Sequence, residues 1–310
     1  MLPLAQLEGL LIGTAVGDSL GLPFEGLPRA RVARLRASPL RQRWLFARGM
    51  ISDDTEHAAL TLHALAAAGH DPAAFARHLA RGLRWWFAAL PPGIGFATLR
   101  ACLKLWLGFP PSRSGVRSAG NGALIRAVII GATTPDATHR ARLVEASTRI
   151  THTDPRALAA AHDLAEIATH AAATTTHARH RCPLRPFPPP ELADGVSGYA
   201  PHTLAAVRWV WSHHQHCPRV ALESIIALGG DTDSTAAIIG ALAGVRHGTA
   251  AFPPPWLTIR DAPRSLGWLR RAAHAAATRS PWPRTSFPLA VLRNLFFVLV
   301  ALAHLVGRAR

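Results

Sequence analysis

Two short acidic clusters, Ser52-Asp53-Asp54-Thr55 and Gly230-Asp231-Thr232-Asp233-Ser234, hold the residue types in this chain best suited to chemistry. Only 18 of the 310 residues are Asp or Glu, against 34 Lys and Arg, so two acidic pairs with hydroxyl neighbours are not ordinary surface composition. Adjacent carboxylates repel unless a cation lies between them, and hard oxygen donors select Mg²⁺, Mn²⁺ or Ca²⁺ over Zn²⁺. Taken singly, each cluster reads better as a helix N-cap, because Ser, Asp and Thr accept hydrogen bonds from the free N–H groups of a first turn. Taken jointly they read as two halves of one metal site, and four carboxylates suit two divalent ions better than one.

Helices must position these clusters. Long Ala-rich stretches without period-2 alternation predict helices over Glu56 to Ala68, Pro72 to Ala89, Asn121 to Gly131, Ala137 to Ile150, Pro155 to Ala173, His202 to His213, Thr232 to Arg246, Pro263 to Ala277 and Leu289 to Val306. The fold class expected is all-α. Proline-rich joints punctuate the helices, and the widest, about 181–201, reads as a surface loop within one domain because the clusters on either side of it need each other. Gly9, Gly13, Gly17 and Gly21 recur every four residues, as do Gly240, Gly244 and Gly248. Each helix-interior glycine costs about 1 kcal/mol relative to alanine, so the two stripes predict helices that cross with their backbones close. That crossing would bring Asp18 and Glu25 towards Asp231 and Asp233. Gly229-Gly230 predicts a tight turn that sets Asp231, Asp233 and Ser234 into the first turn of a helix, where the dipole favours ionised carboxylates.

The formal charge of +16 invites a nucleic-acid reading, and seven arginines fall between Arg29 and Arg48. Against it, basic residues are scattered along the whole chain and aromatics do not interleave with the arginines as a stacking platform requires. A positive field favours an anionic, phosphate-bearing ligand instead. Cys102, Cys182 and Cys217 form no disulfide framework or zinc spacing, which fits a reducing cytoplasm. No targeting segment or membrane span is expected at either end. The apolar run Leu295 to Ala303 falls short of the ~20 residues that cross a bilayer; a buried terminal helix is expected, with an interfacial anchor as the alternative.

Gly17-Asp18-Ser19-Leu20-Gly21 with Glu25, Ser52-Asp53-Asp54-Thr55, Gly120-Asn121-Gly122-Ala123, Thr151-His152 and Gly229-Gly230-Asp231-Thr232-Asp233-Ser234 together resemble, in order, the motifs of the ADP-ribosylglycohydrolase family, which includes the dinitrogenase reductase-activating glycohydrolase. The resemblance implies a compact, orthogonal multi-helix all-α domain with a binuclear Mg²⁺ or Mn²⁺ centre, cleaving the bond between the anomeric ribose carbon of ADP-ribose and an acceptor. Ser52, Asp53, Asp54, Asp231, Asp233 and Ser234 match the metal-ligand positions; Ser234 stands where threonine is more usual and keeps the hydroxyl. Glu25 matches a catalytic acid/base or substrate-orienting glutamate. Gly120, Asn121 and Gly122 match the segment facing the diphosphate and distal ribose, where glycines admit backbone N–H groups to phosphate oxygens. His152 matches a histidine near the ribose. Tyr199, the only tyrosine, stands where relatives often present an aromatic; it reads equally as an adenine-stacking ring or as packing.

The partner implied is an ADP-ribosylated protein or a small ADP-ribose conjugate. A binuclear-metal hydrolase of phosphoesters or diphosphates and a non-catalytic ADP-ribose binder are the rival readings. The sequence leaves the acceptor, the preferred metal and the oligomeric state open.

Overall fold

The computed structural model describes residues 2–36, 39–69, 71–174 and 195–309, and among them the backbone forms fourteen α-helices and no strand beyond isolated bridges. They are α1 (Leu4–Gly21), α2 (Arg29–Leu35), α3 (Asp53–Ala68), α4 (Pro72–Ala88), α5 (Phe96–Trp106), α6 (Pro111–Ser114) and α7 (Leu124–Thr133) in the first part of the chain. There follow α8 (Ala137–Arg149), α9 (Pro155–Ala173), α10 (Ala200–His214), α11 (Pro218–Ala227), α12 (Thr232–His247), α13 (Leu266–Thr278) and α14 (Phe287–Ala309). All nine helices expected from periodicity are present, and the all-α class holds. Most of the proline-rich 181–201 segment lies outside the described residues.

At the centre lie α1 and α12, antiparallel and buried along almost their whole lengths. The glycine stripes explain how they meet. A methyl group at Gly13 would overlap the Gly240 carbonyl, and one at Gly9 would overlap that of Gly244. At the other end of the crossing the Thr232 hydroxyl donates to the Gly21 carbonyl at 2.9 Å. Gly248 departs from the stripe: at φ +73° it ends α12. Around this pair, α3 and α13 pack on α1, and α7 and α9 pack on α12.

The C-terminal expectation is corrected. Of α14, Ala290, Phe297 and Val300 are buried, with Phe297 and Val300 joining Leu22, Trp44 and Met50 in a small satellite core. The opposite face leaves Leu292 63 % and Leu299 65 % exposed. Apolar composition forecast burial because it does not reveal whether a neighbour exists to cover every face.

Candidate active site

Both acidic clusters open onto one cleft of about 550 Å³, which Glu25, Asp53, Asp54, Gly120, Asn121, Gly122, His152, Asp231, Asp233 and Ser234 all line. Two sequence-predicted residues stand apart from its wall. Ser52 caps α3, its hydroxyl accepting from the Asp54 N–H at 3.3 Å. Tyr199 precedes α10, half-buried, with its ring edge on His202 and the Arg156 guanidinium 5.6 Å from its centroid.

The crossing of α1 and α12 builds the floor. Asp18, fully buried near the end of α1, accepts from the Ser52 N–H at 2.8 Å, the Thr55 N–H at 3.2 Å and the Thr55 hydroxyl. It therefore fastens the start of α3 to the central pair. Burial nonetheless pushes its carboxyl up to about 6, with those hydrogen bonds pulling the other way.

The second cluster is set by the turn before α12. Gly229 and Gly230 both adopt left-handed φ, +75° and +79°, which costs an L-residue energy and glycine almost none. Gly230 accepts from the Gly26 N–H at 2.8 Å and donates to the Leu27 carbonyl at 2.8 Å, while the Asp231 N–H donates to Val196 at 2.7 Å. These bonds hold Glu25, exposed at the cleft, beside the α12 N-terminus. The Asp231 side chain makes no capping bond to its helix. It accepts instead from the Asn121 amide at 2.6 Å, and the same amide nitrogen lies 3.0 Å from the Thr203 hydroxyl.

Electrostatics make the gathered carboxylates strained neighbours. Asp53 is pushed up to about 8, first by burial and then by Asp18, Glu25 and Glu56. Asp54 stands well above the ordinary carboxylate range through burial and then Asp53, Asp18 and Asp231, with a hydrogen bond from Ser234 opposing. Asp233 is raised by burial first, then by Glu25, Asp231, Asp54 and Asp18, and its Oδ1 is buried with no hydrogen-bond partner. Glu56 is different: it pairs with Arg264 and accepts from Trp86 Nε1 at 2.6 Å, a structural role behind the cleft.

A buried polar atom without a partner is rare because it forfeits its water hydrogen bonds. Asp233 Oδ1, amid mutually repelling carboxylates and serine hydroxyls, is such an atom, and this hard-oxygen set fits a divalent cation. Among the described residues no three His, Cys, Asp or Glu side chains close into a ready-made cage.

Behind the Gly120–Gly122 turn, sequence reasoning missed Arg126. Fully buried, it donates to the Gly122 carbonyl at 3.1 Å, the Ser147 carbonyl at 3.2 Å and the Thr151 hydroxyl at 2.6 Å. Thr151 in turn lies 2.8 Å from His152 Nδ1. Burial, then the Arg126 charge, pushes His152 down to about 3, so the imidazole facing the cleft is neutral at ordinary pH. At the far side of the α3 entrance, Arg293 of α14 pairs with Asp261 at 2.7 Å, with both side chains buried. Asp261 also accepts from the Ile51 N–H at 3.1 Å, and Arg293 donates to the Ile51 carbonyl.

The chain matches the ADP-ribosylglycohydrolase family over residues 3–284. It belongs to that family. A similar protein is the ADP-ribosylarginine hydrolase Tri1 of Pseudomonas putida (strain GB-1), 30% identical over 82% of this chain and 74% of its own. The ADP-ribosyl-[dinitrogen reductase] glycohydrolase of Rhodospirillum rubrum is 28% identical over 82% of this chain and 89% of its own. Among solved structures, an ADP-ribosylglycohydrolase-related protein complex superposes with a TM-score of 0.65 at 25% identity, covering 90% of this chain and 99% of that one. Membership of the ADP-ribosylglycohydrolase family supports hydrolysis of glycosidic bonds to ADP-ribose as the activity of this chain.

Proposed function

We propose that this protein is a divalent-metal-dependent hydrolase that releases intact ADP-ribose from arginine-linked conjugates, working as one domain around the described cleft. The observation that carries the metal reading is the buried, unpartnered Asp233 Oδ1 among carboxylates that burial and mutual repulsion hold above their ordinary range. The arginine linkage rests on the similarity to the ADP-ribosylarginine hydrolase Tri1 of Pseudomonas putida.

Asp53, Asp54, Asp231, Asp233 and Ser234 would hold two Mg²⁺ or Mn²⁺ ions, with Ser52 as the remaining hydroxyl donor. Bound there, the ions would supply charge stabilisation for ribose hydroxyls and lower the pKa of water. The remaining roles belong to the protein. Asn121 fixes the Asp231 carboxylate through its amide. Glu25, exposed at the cleft where a short 3-10 turn ends, would move the proton between water and the leaving nitrogen, as an oxocarbenium-like transition state requires. The Gly120–Gly122 turn, whose Gly120 and Asn121 N–H groups donate to the Ser118 hydroxyl and the Gly198 carbonyl, would give the diphosphate room for close approach, with neutral His152 behind it as a hydrogen-bonding neighbour of the ribose.

The test is mass-spectrometric detection of ADP-ribose released from ADP-ribosyl-arginine with Mg²⁺, with Mn²⁺ and with EDTA. Asp53→Asn and Asp233→Asn are expected to abolish turnover and ion binding together, and Glu25→Gln to spare ion binding while slowing turnover about 10²–10⁴-fold. Wild-type activity and ion content in both Asp variants would refute the site. AMP as the product would transfer the assignment to a phosphohydrolase.

A further inference from the structure

The outer face of α14 has no partner among the described residues. Leu289, Leu292, Leu295, Phe296, Val298, Leu299 and Leu302 are each at least 40 % exposed. At 100° per residue, Phe287 through Leu302 spread their exposed side chains over roughly 200° of the helix circumference. That arc is wider than the narrow seam by which two coiled-coil helices meet. From Phe287 to His304, a length of about 27 Å, the one charged residue is Arg293, which is buried against Asp261.

A second feature lies beside this face. The turn Leu45 to Arg48, closed by a 2.8 Å hydrogen bond in each direction, lifts Phe46 to its tip, 92 % exposed. Phe46 sits at φ +45°, a conformation that bulky residues avoid, so backbone energy is used to present an aromatic ring to solvent. Phe46, Leu35, Arg43, Phe296 and Leu299 line one apolar hollow of about 620 Å³ between α2, this turn and α14. Arg34, next to Leu35 on α2, and Arg48, which closes the turn, are exposed cations close in chain to its lining.

We infer that α14 and the Phe46 turn form a docking surface for an anionic lipid bilayer, on which the protein lies without crossing it. A broad apolar helix face with a protruding aromatic and basic flanks has the composition of an interfacial element. The formal charge of +16 attracts anionic headgroups and opposes the approach of a second copy of the chain. Crossing the bilayer is disfavoured because it would strip Arg293 from Asp261 and Ile51, and Asn294 from the Ala89 carbonyl that accepts from it at 2.7 Å. The inference is independent of the proposed reaction and is tested without it.

The experiment is co-sedimentation of the full chain with phosphatidylcholine vesicles and with vesicles containing a third phosphatidylglycerol, at low and high salt, beside light scattering for mass. Binding is expected to the anionic vesicles, weakened at high salt, and about tenfold weaker for Phe46→Ser or for the pair Leu292→Ser and Leu299→Ser. Arg34→Glu with Arg48→Glu should weaken it at least tenfold while leaving the circular dichroism unchanged. The Ser variants sit on exposed positions, and an unchanged melting temperature confirms their fold. Equal binding to both vesicle types would overturn the charge argument. No vesicle binding, with a dimer that the Leu292/Leu299 pair dissociates, would assign the face to a second copy and overturn the inference outright.

Discussion

Replacing Gly13 with alanine should destabilise this protein, although in an isolated helix the same change stabilises by about 1 kcal/mol. The new Cβ would stand 2.9 Å from the Gly240 carbonyl carbon and 3.1 Å from the Gly244 Cα. Carbon atoms pack best at about 3.5–4.0 Å. The obstructing atoms are backbone in the middle of α12, so no side chain can rotate away, and α1 must shift off α12 by a fraction of an ångström or more. Overpacking of this kind costs about 1–3 kcal/mol; set against the propensity gain of about 1 kcal/mol, the net loss expected reaches about 2 kcal/mol. Gly267→Ala in α13 is the matched control, because a Cβ there meets nothing nearer than 3.7 Å. Urea unfolding followed by far-UV circular dichroism would show Gly267→Ala neutral or more stable and Gly13→Ala less stable. Because α1 carries Asp18 and α12 carries Asp233, the same shift should weaken ion-induced stabilisation. If Gly13→Ala is stabilised as much as the control, the backbone-to-backbone account of the glycine stripe is wrong.

Asn121→Ala removes the amide that orients Asp231, and titration calorimetry should show Mn²⁺ affinity falling about 10–100-fold with the fold intact. Arg293→Met leaves Asp261 buried and uncompensated, for which a loss of about 3–5 kcal/mol in chemical denaturation is expected; Arg293→Met combined with Asp261→Asn should recover part of it. For His152 the sign follows from its depressed folded value of about 3. Its contribution is complete above the unfolded value of about 6.5 and is lost as pH falls towards 3, since the unfolded chain takes up the proton first. The stability gap between wild type and His152→Gln should therefore shrink on acidification, as read from urea midpoints across pH 3.5–7.5; a gap independent of pH would mean that the imidazole is solvated.

Much of this arrangement was legible in residue order. Glycines four apart encode a close crossing, because no other residue lets two backbones touch there, and the Gly-Gly step encodes the left-handed turn before Asp231. The acidic clusters were informative because this chain has so few carboxylates. What stayed hidden depends on neighbours distant in sequence: Asn121 tethers Asp231 across 110 positions, and Asp18 receives Ser52 across 34. Arg126 looked like one arginine among many, since only the folded chain encloses it beneath the cleft turn. Helices α2, α5, α6 and α11, four to eleven residues long, fell outside the expected set; helices this short gain their stability from packing more than from their own periodicity, and α7, at ten residues, was legible only through its dense apolar run.

The central pair also has a consequence for how the protein is made. Gly21 and Thr232, joined at one end of the crossing, are 211 residues apart. At translation rates of about 5–20 residues per second, α1 leaves the ribosome about 10–40 s before α12. Throughout that interval the glycine-striped face of α1, buried in the finished fold, lacks the helix it packs against. One half of the central crossing must therefore wait for the other, and the cleft that both helices floor cannot assemble until α12 has been made.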